Sequence, residues 1–257
     1  MPNQHMADIA ANLHSDSIAI CEWYTDVHAC HPERVKDSRD EGKVMLHKQT
    51  VPGQIPYRSL LAKELDNLLV PVCISSSHLG QSAIRLEPTW MQIAESAAWA
   101  AVQAIKNEQT PADIDVQVLQ HTLAEHKSML TFLNDVALDD DYPHDAAIQW
   151  AGTKGFFDTY DANPQDELDE HTAHHWIGGF VQLCEGTLET NKFAKKLAIL
   201  TKGKAITTEV FCAHLRSQTK NLDIDASNLN VPEVSANLTR GEACQILYDA
   251  YFQNEQQ

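Results

Sequence analysis

Cationic side chains are scarce in this chain of 257 residues: 19 Lys and Arg stand against 36 Asp and Glu, a formal charge of −17. Clustered Lys and Arg are what hold a phosphate backbone, so this balance excludes a nucleic-acid partner. Long apolar runs are missing as well. The longest, Leu68 to Ile74, is interrupted by Pro71 and falls far short of the roughly 20 residues that cross a bilayer, so no membrane span is expected. Met1 to Asn12 lacks a basic segment followed by an apolar core, so no secretory signal is expected and the location is cytoplasmic by default. The six cysteines, Cys21, Cys30, Cys73, Cys184, Cys212 and Cys244, are scattered and form no C-x-x-C pair. That excludes a disulfide framework and predicts mostly buried free thiols. The ten glycines are dispersed. None builds G-x-G-x-x-G or G-x-x-x-x-G-K-[ST], so these residues hold no loop of the kind that cradles a pyrophosphate. G-x-S-x-G and H-E-x-x-H are absent too.

What is present is ordinary for a folded protein: 43% of residues are apolar, too many for disorder. Residues 1 to about 58 are polar, with short strand-like pieces. Ser17 to Cys21 reads as a strand that Trp23 to Val27 extends. Residues 59 to 128 read as a compact unit. Leu68 to Ile74 is expected to be a strand covered on both faces, with Pro71 marking an edge or an end. A polar loop, Ser75 to Ser82, follows. Pro88 suits the first turn of a helix, and Thr89 to Lys106 contains no Gly or Pro. Ala94, Ser96, Ala97, Ala98, Ala100, Ala101 and Ala104 crowd that helix with side chains small enough for a backbone or a flat ligand to approach. A second helix is expected over 114–127. Beyond residue 129 the periodicity predicts helices at 144–155, 169–185, 190–201, 207–219 and 239–253, the last opened by a capping box, Thr239 to Glu242. The fold class expected is α+β, mainly α, with a short-stranded domain at 1–128 and a helical module at 129–257.

Four clusters of polar residues could carry chemistry. Asp26, His28, His31 and Glu33 have a spacing that suits a divalent metal, but a loop fixes no geometry, and solvated or hydrogen-bonded side chains are the better reading. His171 and His175 share a helix face, with His174 between them, but no general base is built into their spacing. Neither cluster is assigned a metal. From Phe132 to His171, 11 acidic residues face one basic residue, Lys154. No calcium-loop spacing fits Asp139 to Asp141 or Asp158 to Asp169, so a solvated acidic face is expected. His78, Arg85 and Glu87 make the strongest set. They lie after a predicted buried strand and before a helix N-terminus, where α/β sheets place ligands and where free N–H groups carry partial positive charge. Arg85 adds a fixed cation and His78 a proton donor or acceptor near neutral pH. The competing reading is that Arg85 and Glu87 form a structural ion pair.

The order of motifs adds a resemblance. Ile55 to Leu61 (I-P-Y-R-S-L-L), Asn67 to Val72 (N-L-L-V-P-V), Ser75 to His78, and Ile84 to Met91 (I-R-L-E-P-T-W-M) resemble the C-terminal part of a family of bacterial FAD-dependent oxidoreductases. The likeness runs over about residues 17 to 128 and includes Asp26-x-His28 and Glu41-Gly42. It implies FAD as cofactor, flavin-mediated redox of an unknown small substrate, and a segment that closes the flavin domain. It also implies cofactor contacts at Ser77, His78, Arg85, Glu87 and Pro88. His78 would be the acid/base candidate, Arg85 the stabiliser of negative charge on reduced flavin, and Glu87 the residue that orients Arg85. The family's helix usually carries glycine where this chain has Ala94 and often where it has Ala98. Its N-terminal dinucleotide-binding half is not matched. The resemblance therefore suggests a truncated, split or degenerate member, inactive by itself, whose partner would be a missing N-terminal half or a second copy.

A weaker likeness follows. Phe132 to Val136, Ala147-Ile148, Thr153 to Phe157, Tyr160-Asp161, Pro164 and Leu238 to Ala243 are similar to an S-layer-homology helical repeat, and Leu168 to Ile177 can be laid on Leu238 to Leu247. This implies packing or attachment rather than chemistry. The alternative for the whole chain is thus a non-enzymatic helical interaction or attachment module that has lost a cofactor site.

Overall fold

The computed structural model describes residues 13–28, 43–47, 51–137, 142–222 and 237–253. His31, Glu33, Cys30, Glu41-Gly42 and Asp139 to Asp141 lie outside them. The fold is α+β, mainly α, with eight α-helices and four short strands among the described residues. The chain divides into two compact units, residues 1–132 and 133–257.

The first unit is built on strand β1, Ser17–Cys21, which pairs antiparallel with β4, Gly53–Pro56. β2, Asp26–Val27, pairs separately with β3, Val44–Met45. Trp23 does not extend β1, because residues 22–25 leave the ladder. Helix α1 covers His78–Ile84, α2 Glu87–Lys106 and α3 Val116–Glu125. The buried face of α2 is Ile93, Ser96, Ala97, Ala100 and Ala104, spaced as one stripe of a 3.6-residue helix. Its small side chains admit the backbone of β1: Ser96 Oγ donates to the Ile18 carbonyl at 2.8 Å. Two buried amides complete the polar pairing, as buried polar groups require. Gln120 Nε2 donates to the Ser15 and Ser17 carbonyls, and Gln54 Nε2 to Thr131 Oγ1.

Two expectations fail here. Residues 68–74 are not a covered strand. Leu69 makes a single bridge to Leu61, Leu68 and Val72 are exposed, and only Ile74 of the run is buried. Pro71 has no N–H to give, and no second strand lies beside the run among the described residues. Apolar content alone does not make a strand without partners for its backbone. The predicted loop, Ser75 to Ser82, in turn contains most of α1. Ser77 accepts a hydrogen bond from the Gly80 amide, the interaction by which serine starts a helix.

The second unit contains α4, Asp145–Thr153, α5, Glu170–Cys184, α6, Thr190–Leu197, α7, Thr208–Gln218, and α8, Arg240–Phe252. These follow the predicted helices closely, and α8 opens with the expected capping box. Trp150, Phe156, Trp176, Phe180 and Phe211 fill the core. α4 ends at Gly155, whose φ of +82° is a left-handed conformation that favours glycine. Three short segments meet in a closed ring of backbone hydrogen bonds: Leu168 N–H to Leu238 O (2.7 Å), Leu238 N–H to Ile206 O (2.8 Å) and Ile206 N–H to Leu168 O (3.0 Å). All three side chains are buried. Each segment runs directly into a capped helix, with Asp169 capping α5, Thr207 capping α7 and Thr239 capping α8. The ring pairs one N–H and one C=O of each of these buried residues.

Candidate functional site

The predicted constellation lies on α1 and at its junction with α2. Ser77 caps α1 and His78 is its first residue, exposed. Arg85 ends α1 and Leu86 precedes α2, so these two residues alone join the helices. Seven helical residues rise roughly 10 Å, which places His78 and Arg85 at opposite ends of α1 rather than side by side. Glu87 and Pro88 occupy the first two positions of α2 and are exposed. Leu86 offers no side-chain cap, so the N-terminal amides of α2 carry the partial positive charge of an uncapped helix start.

Arg85 finds its ionic partner on β2. Its Nη2 donates to Asp26 Oδ2 at 2.9 Å, and the Asp26 side chain is only 7% exposed against 39% for Arg85. Glu87 was the partner expected from sequence, but Asp26 is the one the fold supplies. β2 brings it there through α1: the Asp26 amide donates to Ser82 Oγ, and Ser82 Oγ donates to the Leu79 carbonyl. His28 Nε2 hydrogen-bonds Asp26 Oδ2 at 3.2 Å. The other carboxylate oxygen, Oδ1, is buried and lies 3.2 Å from the same His28 Nε2, without hydrogen-bond geometry. In the sequence Asp26 and His28 stand with His31 and Glu33 at a spacing that suits a metal, with hydrogen-bonded side chains the better reading. The bond between Asp26 and Arg85 could be found only from the fold, because 59 residues separate them.

The histidines of α5 are engaged separately. His171 Nδ1 pairs with the Thr201 carbonyl, His175 Nε2 donates to the Phe193 carbonyl at 3.0 Å, and His174 stacks on His214 of α7 with ring centroids 5.0 Å apart. Among the described residues, no group of three or more His, Cys, Asp or Glu is arranged to hold a metal ion. Among the cysteines, Cys21, Cys212 and Cys244 are buried, Cys184 is half-buried and Cys73 is exposed. No helix of the described residues is long and apolar enough to cross a membrane.

No curated protein and no solved structure matches this chain. Residues 3–123, which include Asp26, α1, Arg85 and α2, are similar to the FAD dependent oxidoreductase family, whose model matches over that segment.

Proposed function

We propose that the first unit supplies the flavin-ring end of an FAD-dependent oxidoreductase site, centred on Arg85 and the first turn of α2. The observation that carries the reading is the half-exposed Arg85 guanidinium, held by buried Asp26 beside an uncapped helix start, within the segment that matches the family. These residues fit the ring of a flavin. A cation and a helix N-terminus both favour negative charge, and the Arg85 guanidinium, 39% exposed, is reachable by a ring that carries it. Bound FAD would supply the hydride or electron chemistry. The protein's part is electrostatic: Arg85 and the α2 amides stabilise charge near the ring, Asp26 fixes Arg85, and Ser77, His78, Glu87 and Pro88 edge the site. His78 is the acid/base candidate, one helix length away, and acts on substrate rather than beside Arg85. The substrate is a small molecule.

The pyrophosphate of FAD needs a glycine loop that these 257 residues do not contain. We place that loop on chain outside these residues or on a partner, so the present chain alone would be an incomplete and inactive oxidoreductase. A non-enzymatic reading is favoured by one observation: the run at 68–74 forms no covered strand and leaves Leu68, Val72 and Cys73 exposed. For the second unit we propose an S-layer-homology-like attachment role, supported by the matching starts of α5 and α8 on the backbone ring.

Absorbance of the chain isolated with its natural partners tests the flavin reading. Flavin bands are expected in an assembly that includes a G-x-G-x-x-G polypeptide, and weak or no FAD retention is expected for this chain alone. An assembly without flavin would reject the oxidoreductase reading in favour of the non-enzymatic one. Stoichiometric flavin on the lone chain through gel filtration would overturn the need for a separate loop.

A further inference from the structure

A cavity of about 300 Å³ opens between α5 and α6, and its walls are polar. α5 contributes His174, His175, Gly178, Gly179 and Gln182; the following turn contributes Thr187 and Glu189; α6 contributes Lys192, Phe193 and Lys196. Residues 174, 178 and 182 are successive i, i+4 positions, as are 192 and 196, so two aligned helix stripes face the space. Lys192 and Lys196 line the cavity with one acid, Glu189, and they belong to a segment that is basic against the trend of the chain. Five lysines, Lys192, Lys195, Lys196, Lys202 and Lys204, fall within 13 consecutive residues, and no Asp or Glu occurs from Thr190 to Thr208.

The floor of the cavity is built. His175 lies flat on Phe193, with centroids 4.1 Å apart and planes 8° apart, while its Nε2 donates to the Phe193 carbonyl. Phe193 can approach because Gly179 has no side chain; a Cβ there would sit 2.3 Å from the ring. Burial above all, with smaller contributions from nearby Lys196 and His174, lowers the His175 pKa against the opposing pull of the Phe193 carbonyl. Gly178 differs from Gly179: a Cβ there would meet nothing within 4 Å. Its position is open because the cavity is.

We propose that this cavity binds a small phosphate monoester with a hydroxyl-bearing body, such as a sugar or polyol phosphate. Lys192, Lys196 and His174 take the phosphate, and Gln182, Thr187 and Glu189 take the hydroxyls. The volume is at the lower end of small-molecule sites and matches a ligand of that size. The lining has no aliphatic wall, which disfavours a lipid. The chain's −17 charge repels an extended polyanion at long range, whereas a compact dianion responds to the local cluster. Lys192 is partly committed, at 2.5 Å from Glu189. Glu189 therefore both tempers the positive field and offers an acceptor to a sugar hydroxyl.

Calorimetric titration of the whole chain with glycerol 3-phosphate, glucose 6-phosphate, inorganic phosphate and glucose tests this. At least one of the two esters is expected to bind, inorganic phosphate about tenfold more weakly, and glucose not at all. Lys196→Gln is expected to weaken ester binding about tenfold or more. Gly178→Leu is expected to abolish it by filling the cavity while preserving thermal unfolding, since leucine is the better helix former. Lys204→Gln, outside the lining, is expected to bind as the parent does. No binding of either ester up to about 10 mM, the range of weak but measurable affinity, would overturn the proposal. Equal loss in Lys204→Gln, or retained binding in Gly178→Leu, would overturn it as well. Inorganic phosphate binding as tightly as the esters would remove the hydroxyl-reading part.

Discussion

The Arg85 guanidinium and the Asp26 carboxylate meet at 2.9 Å across 59 residues of chain, tying the α1–α2 junction to β2. The pair is asymmetric: Asp26 is buried and Arg85 is half-exposed. Arg85→Gln leaves a buried carboxylate with His28 as its remaining partner, which is expected to cost about 1–3 kcal/mol. Asp26→Asn in the same background is expected to recover part of that loss, because it removes the stranded charge. Urea midpoints of the two single variants and the double variant measure the coupling. In a flavin-loaded assembly, Arg85→Gln is further expected to slow flavin reduction by about 10²–10³, the typical cost of one preorganised donor. Unchanged reduction with reduced stability would leave Arg85 a structural residue only.

Gly155 terminates α4 at a φ of +82°, and a Cβ there would lie 2.8 Å from the Thr190 carbonyl oxygen. Backbone strain and a backbone clash therefore add. Gly155→Ala is expected to destabilise the second unit by more than the roughly 1–2 kcal/mol of left-handed strain alone. Gly186, at φ +68° with nothing within 4 Å of a Cβ, isolates the strain term. Thermal melts of the two alanine variants should differ, with Gly155→Ala the lower.

The helices of the second unit were legible because their signals are local. Apolar spacing and the Thr239 to Glu242 capping box each act within a turn or two. Two arms of the backbone ring were legible as well, since Leu168 to Ile177 and Leu238 to Leu247 align. The third arm, Ile206-Thr207, was hidden because its sequence, I-T-T-E-V, shares little with its counterparts beyond an apolar residue and a cap. At the junction of α1 and α2, the sequence exposed Pro88 as a helix start and Arg85 as a cation. It suggested Glu87 as the nearest acid. The actual partner, Asp26, comes from a two-residue strand whose position no local pattern encodes. The same limit explains the run at 68–74. Apolar content predicted burial, but burial of a strand depends on neighbours that sequence periodicity cannot supply.

Exposed apolar side chains concentrate between residues 65 and 79: Leu65, Leu68, Val72 and Leu79. Apolar surface of this kind promotes association. Light scattering across a dilution series is expected to show concentration-dependent mass, and Leu68→Ser with Val72→Ser is expected to reduce it. A monomer at every concentration that also fails to bind a hydrophobic dye would show that this surface has cover.

Cysteine chemistry should separate by burial. Cys73 is exposed, whereas burial pushes the Cys244 thiol up to about 12. Thiolate is the reactive form, so a thiol reagent near neutral pH is expected to label Cys73 rapidly and Cys244 only on unfolding. Peptide mapping in a Cys30→Ser background reads this directly. Equal labelling of both under native conditions would show that the core around α8 opens freely.

Asp169 gives the second unit an acid-sensitive cap. Burial raises its pKa, but the Thr172 hydroxyl and the amides of Gly203, Thr172 and His171 outweigh burial and hold it below the usual carboxylate value. All four donors favour the charged form. A carboxyl whose folded pKa is depressed contributes stability that is complete above its unfolded pKa and is lost as pH falls through the folded one. The contribution is therefore full at neutral pH and disappears in the acid range below about 4, where an unperturbed aspartate titrates. Asp169→Asn keeps one acceptor oxygen but not the charge. It is expected to lower neutral-pH stability by about 0.5–2 kcal/mol, the range for a lost cap, and to flatten the acid limb of the stability profile. The loss reaches two segments at once, because Asp169 Oδ1 also accepts from Gly203 at 3.0 Å and holds 201–204 against the start of α5. Urea midpoints of parent and variant, followed from neutral pH into the acid range, should converge as the parent's Asp169 protonates. Parallel profiles with a constant gap would mean that Asp169 acts through its shape and hydrogen bonds alone, with no contribution from its charge.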